Sequence, residues 1–266
     1  MKKTPPFTEI YCDDSIVVLN KASGILTAAD RYDLDAPRLD KIATENYGRL
    51  FAVHRIDKDT SGAIVYARTP EAQRALSMAF EKRQVDKTYH ALVHGRPLWD
   101  ETTSTMRLLV NGDLRHRTIV NRMGKDAETY FRCIGPCGPY SWIEAKPKTG
   151  RTHQIRAHLS QLGFCIVCDP LYSGNQKPVK LSDIKRSWRG DPFEERPLLS
   201  RLALHAYKLQ LEHPVTGEMM EFTAPYSKDM DSLRKQLAKL FKTDPLAEAA
   251  EAGDPENGEA PENGEE

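Results

Sequence analysis

Short runs of β-branched and aromatic residues, each closed by a turn signal and interrupted by few helical stretches, restrict the fold of this 266-residue chain more than any other feature. Ile10-Tyr11 and Ile16-Val17-Val18-Leu19-Asn20 read as a strand pair about the polar turn Asp13-Asp14-Ser15, closed by Lys21-Ala22-Ser23-Gly24. Strands are also expected over Ala63–Arg68, Thr88–Gly95, Ala127–Ile134, Tyr140–Pro147, Phe164–Val167, Leu204–Glu212 and Met219–Thr223. Thr102–Val110 and Leu114–Val120 suggest a further hairpin joined by Asn111-Gly112-Asp113. Helices are predicted over 37–49, Pro70–Arg83, Thr152–Gln161 and Ser227–Phe241. In the second, Pro70 suits the first turn, and Ala72, Ala75, Leu76, Ala79 and Phe80 fall on one face. Gly163 ends the third as a left-handed cap would. Strands in runs, with helices interspersed, predict an α+β fold with a mixed, mainly antiparallel sheet and flanking helices, not a doubly wound parallel one.

Charge is unevenly spread. The 38 basic and 38 acidic residues cancel, yet nine of the acidic ones and none of the basic ones lie in 243–266. Residues 1–242 therefore carry a net charge of +9, which attracts polyanions such as nucleic acid. The tail contains Pro-Glu-Asn-Gly-Glu twice and few apolar residues, so a disordered acidic segment over 243–266 is expected, able to compete with a polyanion for the basic face. A second biased stretch, 174–201, holds seven basic residues against four acidic ones, with Trp188 among them. It reads either as a loop contacting phosphates and stacking on a base or as a solvated insertion. No apolar run approaches the ~18–20 residues of a membrane span, and Met1-Lys2-Lys3 is not followed by the apolar stretch of a signal peptide. Five cysteines, an odd number, suit reduced thiols in a cytoplasm. Cys133, Cys137, Cys165 and Cys168 could in principle supply zinc thiolates. The last two bracket an apparent strand that would point them to opposite faces, so no metal is expected.

Residues 54–62, His-Arg-Ile-Asp-Lys-Asp-Thr-Ser-Gly, form a polar connection leading directly into the buried strand at Ala63, a place where catalytic side chains tend to sit. Taken alone it is equally an ordinary turn. A second cluster, Lys146-Pro-Lys-Thr-Gly-Arg-Thr-His-Gln-Ile-Arg-Ala-His158, changes that balance. A helix starting at Thr152 would leave Arg151 beside Gly150, able to reach across a cleft. His158 reads as a structural histidine. A metal-dependent phosphodiesterase using Asp57, Asp59, His54 and His153 is a rival reading, but it needs carboxylates from several elements around Mg²⁺. A non-catalytic RNA-binding protein is another.

His54-Arg55-Ile56-Asp57-x-x-Thr60-Ser61-Gly62 resembles the signature of the RluA family of RNA pseudouridine synthases. The resemblance continues through Lys87-x-Tyr89-x-Ala91-x-Val93-x-Gly95, Gly124-Lys125-x-Ala127-x-Thr129 and Gly150-Arg151-Thr152-His153-Gln154-Ile155-Arg156-x-His158. It runs on through Ile166-x-x-Asp169-x-x-Tyr172 and Leu204-His205-Ala206 to His213-Pro214-x-Thr216-Gly217, covering 10 to about 226 in order. Cys165 and Cys168 stand where that family usually has Pro and Gly. The resemblance implies a pseudouridine synthase fold over 1–242 with a central catalytic cleft, and no room for the small N-terminal RNA-binding domain of some relatives.

It also implies a set of site residues. Asp57 is the expected nucleophile, Tyr89 meets the target base, and Arg151 pairs with the catalytic carboxylate and keeps it ionised. Arg55, projecting to the same side, is expected to meet a phosphate or fill the gap left by a flipped nucleotide. Ile155 packs near the base, and His54 and Arg156 complete the expected substrate-binding set. Isomerising uridine involves no redox change or net group transfer, so no cofactor is expected. One carboxylate can hold C1′, or attack C6, or open a glycal route. The implied partner is ribosomal or transfer RNA, and the implied protein is a cytoplasmic monomer.

Overall fold

The computed structural model describes residues 5–29, 35–174 and 177–251. The expectation of disorder over 252–266 lies outside the described residues. In chain order the strands are β1 (Phe7–Cys12), β2 (Ile16–Lys21), β3 (Phe51–Ala52), β4 (Ser61–Ala67), β5 (Asp86–His94) and β6 (Glu101–Ser104). They continue with β7 (Leu108–Leu109), β8 (Ile119–Val120), β9 (Thr129–Cys137), β10 (Tyr140–Pro147), β11 (Leu204–Glu212) and β12 (Met219–Thr223). The helices are α1 (Leu39–Tyr47), α2 (Pro70–Glu81), α3 (Gln154–Gln161), α4 (Leu181–Ile184), α5 (Lys228–Phe241) and α6 (Pro245–Glu251).

One large sheet runs β1-β2-β4-β11-β5-β10-β9-β6, with β12 added to β11 and β3 to β4. Every pairing in it is antiparallel except β4 with β11, so the α+β expectation holds. All seven residues of β4 are buried, as a central strand covered on both faces requires. At the parallel junction Gly62 has φ +116°, and a Cβ there would collide with the Ala206 backbone, so only glycine allows β4 and β11 to meet. Trp142, Tyr66 and Phe131 are fully buried and anchor the packing on the sheet. Thr69 caps α2 by accepting from the Ala72 N–H at 3.1 Å, worth about 1 kcal/mol, with Pro70 in the first turn.

Three expectations shift. The hairpin over 102–120 divides: β6 leaves to pair with β9, Glu101 opposite Arg132, and only the two-residue strands β7 and β8 pair with each other. Residues 164–167 form no strand. They fill the edge of β5 beyond the start of β11, through the Val93–Ile166 bridge and the His94 N–H to Cys165 carbonyl bond, a gap too short for a ladder. Finally, 245–251 of the acidic segment is not disordered. It forms α6, because Pro245 and Leu246 bury against the sheet beside β9 and outweigh the segment's charge.

Candidate active site

Asp57 sits in the connection between β3 and β4, and that connection is held chiefly by its carbonyls. The Thr27 hydroxyl donates to Ile56 O at 3.0 Å, the Ser23 hydroxyl to Asp59 O at 2.7 Å, and the Gly24 N–H to Lys58 O at 2.8 Å. Lys21, with no exposed surface, places its ammonium among three carbonyls, those of Ala22, Ile25 and Lys58, at 2.8–3.0 Å. Burial pulls its pKa down to about 7, against the opposing pull of Asp57 and Asp59. Lys21, read in the sequence as the start of a closing turn, and Thr27 are structural parts of the site. The signal for Lys21 was a lysine closing a strand that opens with four apolar residues.

Beside this loop lies an open cleft of about 600 Å³, lined by Asp57, Tyr89, Ile155 and Leu204 and by wall residues from α2 and 147–154. Arg55, Arg83, Lys87, Lys148, Arg151 and Arg156 contribute cationic groups to it. Tyr89 projects from β5 at the register position between Ala206 and Ala145. Burial and the nearby Asp57 charge raise its phenol pKa well above the ordinary value, so it carries its proton throughout the neutral range. Ile155 is 6 % exposed and sits where an apolar platform for a base is wanted.

The cation expected beside Asp57 is a different one. Arg151 points away, its Nε donating to the Asp126 carbonyl at 3.1 Å, and its backbone N–H is fixed by Gln154 Oε1 at 3.0 Å. The guanidinium next to Asp57 belongs to Arg156, with Nη1 3.5 Å from Oδ2. The cause is local backbone geometry: α3 begins at Gln154 after His153 in a left-handed turn, φ +54°, so the helix carries Arg156 inward. Arg156 is 2 % exposed and its fork is engaged by the fully buried Asp169, Nε to Oδ2 and Nη2 to Oδ1, both at 2.8 Å. Asp169 also accepts the Leu171 and Tyr172 N–H groups. Tyr172 lies under the guanidinium, its ring centroid 5.2 Å from Cζ. Burial alone would lower the Arg156 pKa, but Asp169 and Asp57 raise it above its ordinary value.

His54, expected to bind substrate, lines the cleft but serves the scaffold: its Nε2 accepts the Val65 N–H at 3.1 Å and its ring stacks on Phe80 at 4.4 Å. Burial and the Lys87 charge bring its pKa down to about 3, so it is neutral with the proton on Nδ1. Arg55 is exposed on the cleft. His158 is structural, bonded to Thr129 Oγ1 and the Met106 carbonyl. His153, named in the sequence only as a ligand of the rival metal site, and Asp169 and Tyr172, quoted in a motif without a role, are members of the Asp57 cluster. No three His, Cys, Asp or Glu side chains converge as metal ligands among the described residues. Arg156 Nη1 at 3.5 Å and His153 Nε2 at 3.9 Å, a cation and an imidazole, face the Asp57 carboxylate, whereas a Mg²⁺-dependent phosphodiesterase needs further carboxylates converging there.

Residues 15–161 match the sequence model of the RNA pseudouridylate synthase family. The chain belongs to that family. It is 34 % identical over 253 residues to a Vibrio cholerae ribosomal large subunit pseudouridine synthase D, covering 90 % of this chain and 74 % of the relative. An uncharacterized RNA pseudouridine synthase from Chlorobaculum parvum is 35 % identical over 258 residues, 89 % of this chain and 76 % of that one. Human RNA pseudouridylate synthase domain containing 4 shares the fold, with a TM-score of 0.66 over 86 % of this chain and 92 % of its own, at 23 % identity. These matches bear out the RluA-type resemblance, and the activity is that of an RNA pseudouridine synthase, an isomerase that turns uridine in RNA into pseudouridine.

Proposed function

We propose that Asp57 is the nucleophile of this isomerisation and that a flipped uridine occupies the cleft between Asp57, Tyr89 and Ile155. The observation that carries the reading is the state of Asp57: a 22 % exposed carboxylate, fixed by its backbone, facing an open cleft, with one guanidinium group near it that is held by another acid. An anion so arranged is stabilised without being capped, and it can approach C1′ or C6 of a uridine taken out of its stack. Tyr89 supplies an uncharged aromatic wall. Arg156 takes the part first expected of Arg151, keeping the carboxylate ionised by proximity. Arg151, Arg55, Lys148 and Lys87 form the cationic rim that meets phosphates on either side of the target. His54 shapes that wall through Val65 and Phe80.

The substrate class we favour is ribosomal RNA, because the V. cholerae relative is named for the large ribosomal subunit. A cytoplasmic monomer is the working arrangement, consistent with five free thiols and with no helix among the described residues long and apolar enough to cross a membrane. The test is direct. Pseudouridines are mapped in ribosomal and transfer RNA from cells with and without the protein, and purified Asp57→Ala is assayed on the RNA that changes. Loss of product with RNA binding within a few-fold of the parent is expected. Turnover by Asp57→Ala would end the nucleophile assignment, and a change confined to transfer RNA would end the ribosomal one.

A further inference from the structure

Whichever route the first step takes, the reaction ends with a proton problem that Asp57 does not solve alone. The N1–C1′ bond breaks, the uracil turns, and C5 bonds to C1′. C5 then still carries its hydrogen, which must leave as a proton while N1 gains one; the electron pair of the C5–H bond restores the ring double bond. A group with an available lone pair at neutral pH is needed beside C1′. Tyr89 keeps its proton, because burial and Asp57 raise its pKa. His54 uses its one lone pair on the Val65 N–H. The Lys21 ammonium is turned to backbone carbonyls beneath the loop. Arg156 is engaged by Asp169 and has no lone pair to offer.

His153 is the imidazole that faces Asp57 across the cleft wall, and its tautomer is set by its neighbours. The Tyr172 hydroxyl accepts the Thr118 N–H at 3.0 Å and donates its own proton to the Thr118 carbonyl at 2.8 Å. Toward His153 Nδ1, 3.4 Å away, that hydroxyl can only accept, so Nδ1 carries the hydrogen and Nε2 carries the lone pair. Nε2 lies 3.9 Å from Asp57 Oδ2, and His153 lines the cleft. His153 adopts the left-handed region, φ +54°, a conformation uncommon outside glycine but tolerated by histidine, and it stands at the entry of α3. We infer that His153 is the base that removes the C5 proton and returns a proton to the ring at N1, an assignment that rests on the isomerase reading above. Burial, with Arg156 adding to it, lowers the imidazole pKa from its ordinary value, while Asp57, Asp169 and Asp59 oppose the shift. The ring is therefore neutral and able to accept at physiological pH.

The experiment uses the full chain, a transcript of the modified ribosomal segment, and the same transcript with deuterium at C5 of the target uridine. His153→Asn keeps a residue type that tolerates the left-handed backbone while removing the basic nitrogen. Single-turnover rates should fall by about 10²–10⁴-fold, and the H/D isotope effect should rise above that of the parent, because C5–H cleavage becomes the slow step. Tyr172→Phe keeps the ring beneath Arg156 but deletes the acceptor that sets the tautomer; a smaller rise in the same isotope effect is expected. A merely structural histidine would slow every step and leave the isotope effect where it was. That result in His153→Asn, or an undiminished rate, overturns the assignment. Absence of product with the parent protein would instead remove the isomerase reading itself.

Discussion

Two carboxylates on opposite faces of one sheet are treated in opposite ways. Tyr89 and His90 are neighbours on β5, so one looks into the catalytic cleft and the other to the reverse face. There His90 and its register partner Glu144 line a second cavity of about 250 Å³ edged by α6. Glu144, 7 % exposed, receives both arms of Arg132, at 3.1 and 3.2 Å, with His90 and Lys146 close by. Tyr207 stacks on His90 at 4.1 Å, and Tyr226 bonds to its Nδ1. Acid, arginine, histidine and tyrosine are all present, as they are around Asp57. What differs is where the guanidinium fork goes. On the reverse face it closes on Glu144 itself. In the cleft Asp169 takes the fork, and Asp57 receives only the side of it at 3.5 Å. A carboxylate held by both arms is a structural brace; one left with a lateral contact keeps lone pairs for a substrate. On the proposed reading, the reactivity of Asp57 depends on an acid that does not line the cleft.

Asp169→Ala should break this contrast most severely. Arg156 would keep a buried charge without its partner, costing about 3–5 kcal/mol in urea unfolding. It would also be released to close on Asp57 with both arms, so turnover should fall even where the variant is folded. Folding at parent stability with parent turnover would refute the division of labour between the two acids. Glu144→Gln should cost about 1–3 kcal/mol without affecting turnover at saturating RNA. It also carries a pH signature. Burial would raise the Glu144 pKa, but His90 and Arg132 outweigh it and bring it down to about 2. A group whose folded pKa lies below its unfolded value adds stability that is present above the ordinary carboxylate pKa of 4.5 and lost as pH falls toward 2. Between those limits the parent should lose stability more steeply than Glu144→Gln; equal slopes would show that the brace contributes nothing. Smallest of the three, Arg151→Ala should weaken RNA binding several-fold and lower the salt slope by about one, as the loss of a single phosphate contact does. Its turnover at saturating RNA should suffer far less than that of Arg156→Ala, and equal losses would return Arg151 to the carboxylate.

The contrast between Arg151 and Arg156 also marks where sequence reasoning stopped. Strands such as β4 and β5 were legible because their β-branched and aromatic residues encode burial locally. Asp57 was legible as a candidate nucleophile only through the motifs that accompany it, since the polar turn that carries it is by itself an ordinary turn. Which arginine turns inward depends on where α3 begins, and that is decided by one left-handed residue, His153, whose conformation no side-chain pattern announces. Asp169 stood in a quoted motif, but its use became visible only once the chain brought it beside Arg156. The departure of β6 to β9 and the docking of α6 are likewise choices between a local pairing and a distant one. Local composition is silent on such choices, and buried contacts decide them.

The clamp on the Asp57 connection has a consequence for how such enzymes diversify. Lys21, Ser23, Gly24 and Thr27 bind carbonyls of residues 56, 58 and 59, and every amino acid possesses a carbonyl. The carbonyl part of the hold on Asp57 therefore sets no requirement of its own on side-chain identity at 58 and 59. Evolution can rewrite what those positions offer to a new RNA while the reacting carboxylate stays where it was. On the proposed reading, target choice and chemistry are separable within a stretch of five residues, one recorded in the side chains around Asp57 and the other in its carboxylate and the main chain that positions it.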